Sequence, residues 1–452
     1  MVKTYVIDTN ILINSAGDIL DGLADNNIVI THTTLEELDK HKNDPGEKGF
    51  AVRESLRKIL NYKDNQTGDY ETGYPTTHGG TLRIEMNHID GEFLPKDWDM
   101  TKNDNKILST ASYLAHTLAE PVILITNDSG MYVNATLAGL TVQQYKNEQV
   151  NTDTLYTGRA EYEVPAELLG RLYKEHALPA TDILPEENDA VANEFLILHS
   201  GASSALAYTD TLMDVHLLEE EKSFGGIKGK NAGQRFALHA LLAPASEIPL
   251  VVLRGAAGCG KTFLALSAGL SKVYDDHRLA EYDNVIISRS NTLAGGDKEN
   301  LGYLPGSLEE KMGPLLAPFY DNLKSILRGD SKEDPEQIKI QADDLLTSDL
   351  VEICAFAYLR GRSIANSYMI IDEAQNLSVS QMRTLVTRAG VNTKLVILGD
   401  INQIDAPHID KRTSGLSYIC EKFRGNPLCM QVALAENECV RSPLANEAAK
   451  IL

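Results

Sequence analysis

The 452-residue chain is poor in the features that mark secreted, membrane-embedded or metal-stapled proteins. It has one tryptophan and five cysteines, and only 6% of its residues are aromatic. The cysteines, at 259, 354, 420, 429 and 439, are odd in number and form no Cys-x-x-Cys pair. That pattern speaks against a structural zinc site and for a reducing cytoplasm. No apolar run approaches the ~18 residues of a membrane span. The opening Met-Val-Lys-Thr-Tyr-Val-Ile-Asp-Thr-Asn has an apolar piece too short for a signal peptide and reads as a strand. A cytoplasmic protein without membrane contact is the expectation.

Positive charge is also scarce. The formal net charge is −22. Residues 1–150 hold 13 basic and 22 acidic side chains, and the remainder 29 and 42. Neither part is basic, so the overall field repels a polyanion. A nucleic-acid substrate would need a local groove, a pore, or cations bridging carboxylate to phosphate.

Three regions separate along the chain. Residues 1–150 alternate short apolar strands (Tyr5 to Ile7, Ile28 to Ile30, Val122 to Thr126, Leu140 to Tyr145) with helices, and predict a small α/β domain with a parallel sheet. Residues 151–225 carry three short candidate strands around 194–199, 205–209 and 212–218, and predict a small β-rich connecting module. Residues 226–452 hold five apolar strands, at 250–253, 285–288, 351–354, 368–371 and 395–398, with helices between them. The fold class is therefore α/β throughout, apart from the middle module.

What the chain does have is Gly255-Ala256-Ala257-Gly258-Cys259-Gly260-Lys261-Thr262, a nucleotide-binding loop pattern between an apolar strand and a helical run. Glycines let backbone N–H groups curl round a triphosphate, and the helix N-terminus adds partial positive charge. Lys261 is placed for the β- and γ-phosphates of ATP and Thr262 for Mg²⁺. Downstream, Met369-Ile-Ile-Asp-Glu-Ala-Gln375 ends a strand in two carboxylates. Asp372 is the candidate Mg²⁺ holder, and Glu373 the residue that polarises the attacking water. A further strand ends in Gly-Asp-Ile-Asn-Gln, which puts Asp400 and Gln403 beside the γ-phosphate. Gln234, 21 residues before Gly255, is a candidate reader of the adenine edge, with an ordinary surface glutamine as the alternative.

These segments resemble the PhoH family of superfamily-1-like ATPases. The resemblance runs over about 226–452 through Asn300-Leu-Gly-Tyr-Leu-Pro-Gly-Ser-Leu-Glu-Glu-Lys311, Tyr358-Leu-Arg-Gly-Arg-Ser363, Asp372-Glu-Ala-Gln-Asn376, Gly399-Asp-Ile-Asn-Gln-Ile-Asp405 and Val440-Arg-Ser-Pro-Leu444. One departure is Arg289-Ser-Asn291, where the family usually has Arg-Pro. The likeness implies a RecA-like P-loop domain. Only one such core fits in the chain, so a transition-state arginine would come from a neighbouring subunit. Arg441 is the first candidate, ahead of Arg360, Arg362 and Arg412. Head-to-tail repetition closes a ring, and a homohexamer is the preferred form. In a ring only the pore need be basic; Lys228, Lys230 and Lys298 are candidates for its lining.

Four acidic residues in the first region sit where strands end or helices begin: Asp8, Glu37, Asp104 and Asp128. Packed together they would repel unless cations neutralised them. A pair of Mg²⁺ ions, or Mn²⁺ in their place, would do so and would activate water for phosphodiester cleavage. Each could equally be a helix cap or turn residue. The Asp8-Thr-Asn-Ile-Leu-Ile start, the Glu37-Leu pair, Asp104-Asn-Lys-Ile-Leu and Thr126-Asn-Asp128 are similar to PIN-domain nucleases. That likeness implies a metal site at these four carboxylates, with Glu36 as the alternative to Glu37, Asn10 and Asn127 in support, and single-stranded RNA as substrate.

The leading expectation is ATP-driven RNA unwinding or translocation coupled to metal-dependent RNA cleavage. The alternative is an ATPase remodeller or regulatory switch whose PIN fold only binds. A phosphate-metabolism kinase is weaker, because no acceptor-binding signature is present. A separate small protein partner stays open.

Overall fold

The computed structural model describes residues 2–44, 46–65, 68–89, 93–145, 150, 155–184, 190–274, 280–290, 308–329, 334–359, 363–406 and 409–439. The chain divides into two compact units, Met1–Asn147 and Glu148–Leu452.

The first unit is built on a six-stranded sheet. Its strands are β1 (Thr4–Ile7), β2 (Asn27–Thr31), β3 (Tyr74–Pro75), β4 (Thr81–Glu85), β5 (Val122–Ile125) and β6 (Thr141–Gln143), in the order β3-β4-β2-β1-β5-β6. Every pairing is parallel except β3 with β4. The central strands Tyr-Val-Ile and Val-Ile-Leu-Ile are buried on both faces. This is why they read as continuous apolar runs rather than alternating ones. Ile7, Ile28, Ile30 and Leu38 close one face, and Val6, Val29, Ile107 and Leu108 the other. The stretch over about 61–80, rich in Asp, Gly, Thr and Tyr and readable from sequence as an exposed loop or hairpin, is in part helical, because the helix Gly46–Asn65 runs into it before β3 and β4.

The second unit holds two sheets. In the first, β7 (Arg159–Glu163), β8 (Ala177–Pro179), β9 (Phe195–Ser200), β10 (Ser203–Thr209) and β11 (Asp214–Leu217) run in the order β7-β9-β10-β11-β8. The three expected strands are β9, β10 and β11, paired antiparallel. This sheet shares a core with the rest of the unit: Phe195 stacks on Phe236 with ring centroids 4.8 Å apart. The buried Arg254 donates to the carbonyls of Leu155 and Tyr156, and the Ala433 amide to that of Thr157.

The other sheet is wholly parallel, with β12 (Leu250–Arg254), β13 (Asn284–Arg289), β14 (Val351–Ala355), β15 (Ser367–Asp372), β16 (Lys394–Gly399) and β17 (Cys429–Ala433) in the order β14-β13-β15-β16-β12-β17. The five expected strands are present. The sixth, β17, pairs with β12 and mixes Cys, Met and Gln with its apolar residues. Adjacency of β15, β16 and β12 brings Asp372, Asp400 and the Gly255–Thr262 loop to one sheet edge. Among the described residues no helix is long and apolar enough to cross a membrane.

One cation sits deep in this sheet. Lys394, fully buried at the start of β16, donates to the carbonyls of Ala240 (2.8 Å), Ala243 and Ile248 (3.1 Å). It satisfies carbonyls at the end of the helix Ala232–Leu242, which the helix itself cannot. Burial pushes its pKa down to about 7. Lys394→Met removes a buried charge but leaves three acceptors without a donor, at a cost of ~1–3 kcal/mol each that outweighs the gain. The expected result is a loss of about 2–4 kcal/mol in denaturant unfolding at pH 7. Unchanged or increased stability would contradict this role.

Candidate active sites

In the first unit, parallel pairing of β1 with β5 sets the site. Asp8 follows β1 and Asp128 comes three residues after β5, so both lie at the same sheet edge. Asp8 is buried, with 3% of its surface exposed, and accepts a hydrogen bond from Thr126 Oγ1 at 2.7 Å. Glu37 comes in from the helix His32–His41, held by Thr9 Oγ1 and, at 2.8 Å, by Asn103 Nδ2. Glu36 faces elsewhere, exposed and 3.8 Å from His32, which favours Glu37 over its neighbour. Asp104 lies in the first turn of the helix Asn103–Thr117. Asp128 caps the helix Ser129–Leu137 by accepting from the Met131 amide at 2.7 Å. Asn127 accepts from the Tyr145 amide, and the Asn10 backbone amide hydrogen-bonds the Asp8 carboxylate.

These groups sense one another. Burial first, then Asp104 and Glu37, push the Asp8 pKa up to about 6 against the hydrogen bond from Thr126. Asp104 is raised by burial, Asp128 and Glu37. Among the described residues, no three His, Cys, Asp or Glu side chains stand close enough to hold a single ion as they lie. The donor set is nevertheless all carboxylate oxygen, which suits a hard cation such as Mg²⁺ or Mn²⁺.

In the second unit, Gly258 and Gly260 take φ of 83° and 86°, the left-handed turn that starts the helix Lys261–Val273. Lys261 Nζ donates to the carbonyls of Gly255 (2.6 Å) and Ala256 (3.1 Å). Thr262 Oγ1 is 3.4 Å from both carboxylate oxygens of Asp372, the spacing of two groups that could share a cation. Asp372 is almost fully buried. Burial, then Glu373, push its pKa up to about 6, opposed by Arg289 and Lys261. Glu373 has φ of 56°, a left-handed conformation uncommon for a side-chain-bearing residue. Arg289 binds its Oε1 at 2.9 Å and Gln375 Nε2 its Oε2 at 2.5 Å.

Gln375, fully buried, is the residue that sequence reasoning missed here. It also donates to the Gln403 carbonyl and accepts from the Asp400 amide, tying Glu373 to the loop after β16. A Cβ on Gly399 would meet Gln375 Oε1 at 2.7 Å, so the glycine is needed for this close approach. Gln403 thus enters through its carbonyl. Gln234 is buried, and its amide donates to the Cys259 carbonyl at 3.2 Å, so it braces the loop. Cys259 is joined to Cys439 in a disulfide, a pairing that the reading of the cysteines as an odd, unpatterned set did not anticipate. The pairing was illegible because the two lie 180 residues apart.

Of the arginine candidates, Arg412 is exposed and its backbone closes a turn. Arg360, Arg362 and Arg441 lie outside the described residues, as does Lys298. Lys228 is paired with Glu220, and Lys230 meets Gln234 through its amide.

Residues 226–452 match the family model described as "PhoH-like protein", and residues 5–146 the one described as "PIN domain". "Protein PhoH2" of Bacillus subtilis is 35% identical over the whole of both chains. The chain belongs to the PhoH family. Proteins of the same name from Thermobispora bispora and Mycolicibacterium smegmatis are 32% and 31% identical, over 98% of this chain and 95% of theirs. The PhoH-like unit is a P-loop ATPase, and it follows an N-terminal PIN domain of the nuclease class.

The shifted Asp8 has a measurable consequence. An acid raised from 3.8 to about 6 costs the fold stability as pH rises through that range, and the full cost is present above about 6. Without divalent cations at pH 7.5, Asp8→Asn is therefore expected to stabilise the PIN domain by up to about 3 kcal/mol. Mn²⁺ is expected to raise the melting temperature of the wild type more than that of the variant. A less stable variant with an undiminished Mn²⁺ response would contradict the account.

Proposed function

We propose that the chain couples ATP-driven unwinding or translocation of single-stranded RNA to metal-dependent cleavage of that RNA. The observation that carries this is the presence, in one chain, of a phosphate loop facing Asp372 and Glu373 and of a separate edge-of-sheet set of carboxylates around Asp8. The division of labour follows residues 1–150 for cutting, 151–225 as the connecting module and 226–452 for ATP hydrolysis.

In the ATPase site, Lys261 and the loop amides would bind the β- and γ-phosphates, Thr262 and Asp372 would hold Mg²⁺, and Glu373 would orient and polarise water. Asp400 and Gln403, linked to Glu373 through Gln375, would respond to loss of the γ-phosphate. Gln234, whose Oε1 and Nε2 are taken by the Lys230 amide and the Cys259 carbonyl, would brace the loop. In the PIN site, Asp8, Glu37, Asp104 and Asp128 would hold Mg²⁺ or Mn²⁺. Bound cations would supply Lewis acidity towards phosphate oxygens and a more acidic water. Thr126, Thr9 and Asn103 keep the carboxylates aimed.

A homohexameric ring, with Arg441 acting across subunits, reconciles RNA binding with a net charge of −22, since only the pore need be basic. Work in the cytoplasm, and a separate small protein partner, fit the same reading.

The deciding assay incubates the full chain with labelled single-stranded RNA, Mg²⁺ or Mn²⁺, with and without ATP. Asp8→Asn is expected to lower cutting by about 10²-fold or more and keep ATP hydrolysis, with the reverse for Lys261→Ala. Cutting that survives Asp8→Asn would remove the nuclease assignment. Full ATPase activity at monomer mass would remove the ring.

A further inference from the structure

The basicity and aim of Glu373 towards water depend on what its carboxylate already accepts, and each oxygen already takes one hydrogen bond, one of them from a cation. Oε2 accepts from Gln375, which is fully buried and clamped by the Gln403 carbonyl and the Asp400 amide. Oε1 accepts from Arg289, the last residue of β13, which lies in register with Asp372 across the sheet. The two holds differ in kind. Gln375 is locked into the fold. The Arg289–Glu373 pair is about a third exposed on each side, 29% and 32%, so it stands partly open to solvent. A guanidinium accepts a phosphate in the same two-pronged geometry as a carboxylate. Arg289 also begins the segment where this chain departs from the family's Arg-Pro pattern.

We propose that Arg289 is a latch on Glu373: it holds the carboxylate in the resting ATPase, and a phosphate of the RNA backbone competes for the guanidinium and frees Glu373 to act. ATP turnover would then depend on an occupied RNA track. The trigger rests on the RNA reading above, whereas the latch itself does not. Arg289 is thus a positioning residue, acting through Glu373 rather than on ATP.

The test measures steady-state kcat and KM for ATP on the full chain, with and without poly(U), for the wild type, Arg289→Gln and Arg289→Lys. Removing the guanidinium is expected to raise basal kcat at saturating Mg²⁺ and ATP about three- to five-fold, the scale of a partly exposed ion pair. Stimulation by poly(U) is expected to vanish in Arg289→Gln and to return in Arg289→Lys along with the low basal rate. A fall in basal kcat, or none of these changes, overturns the latch. If poly(U) leaves the wild type unstimulated, the RNA trigger fails, and the basal kcat of Arg289→Gln still decides the latch. Should the Gln variant fail to fold, Arg289→Met, with a similar stem and no charge, repeats the measurement.

Discussion

Buried carboxylates at the edges of parallel sheets govern this chain. Asp8 and Asp372 each follow or end a fully buried strand, each has an acidic neighbour, and each has its pKa pushed up to about 6 by burial and like charge. In such a place an ionised carboxylate is costly unless a cation or a donor compensates. The fold supplies only part of the compensation: Thr126 for Asp8, Arg289 and Lys261 for Asp372. The remainder of the negative charge is what a divalent cation would neutralise. The same feature that weakens the folded state would then favour binding of a cation.

The ATPase edge also shows how strand order becomes chemistry. The register of β12 against β16 places Gly399 opposite Arg254, and the Gly255 amide donates to the Gly399 carbonyl. The phosphate loop and the Asp400 turn therefore leave the sheet side by side. Gln375 joins that turn to Glu373, so a shift of either is felt by the other. Arg254, just before the loop, is anchored on the carbonyls of Leu155 and Tyr156, in the segment that leads into β7.

Much of this was legible in the sequence because it is local. An apolar run that ends in Asp or Asp-Glu announces a buried strand and its carboxylate together, as at Val6-Ile7-Asp8 and Ile370-Ile371-Asp372. The Gly-rich loop carries its own turn chemistry. What escaped was long-range or weakly patterned. β7 reads Arg-Ala-Glu-Tyr-Glu, a half-exposed edge strand with little apolar signal, and β17 mixes Cys, Met and Gln among its apolar positions. The partners that aim the carboxylates, Thr126, Thr9 and Asn103, are common polar residues whose role comes only from the pairing of distant segments. Gln375 stands inside the Asp-Glu-Ala-Gln motif, but its three hydrogen bonds needed β15 beside β16 to be seen. The Cys259–Cys439 pair depends on β17 lying next to β12.

The account turns on the claim that the Asp8 carboxylate cluster awaits a cation. Calorimetric titration of Mn²⁺ into the full chain at pH 6, in two buffers of different ionisation enthalpy, tests it directly. Because burial and like charge push the Asp8 pKa up to about 6, binding at that pH should release protons from this residue. Asp8→Asn should abolish that release. Mn²⁺ binding with no proton release in the wild type, or with the same release in Asp8→Asn, would contradict the claim.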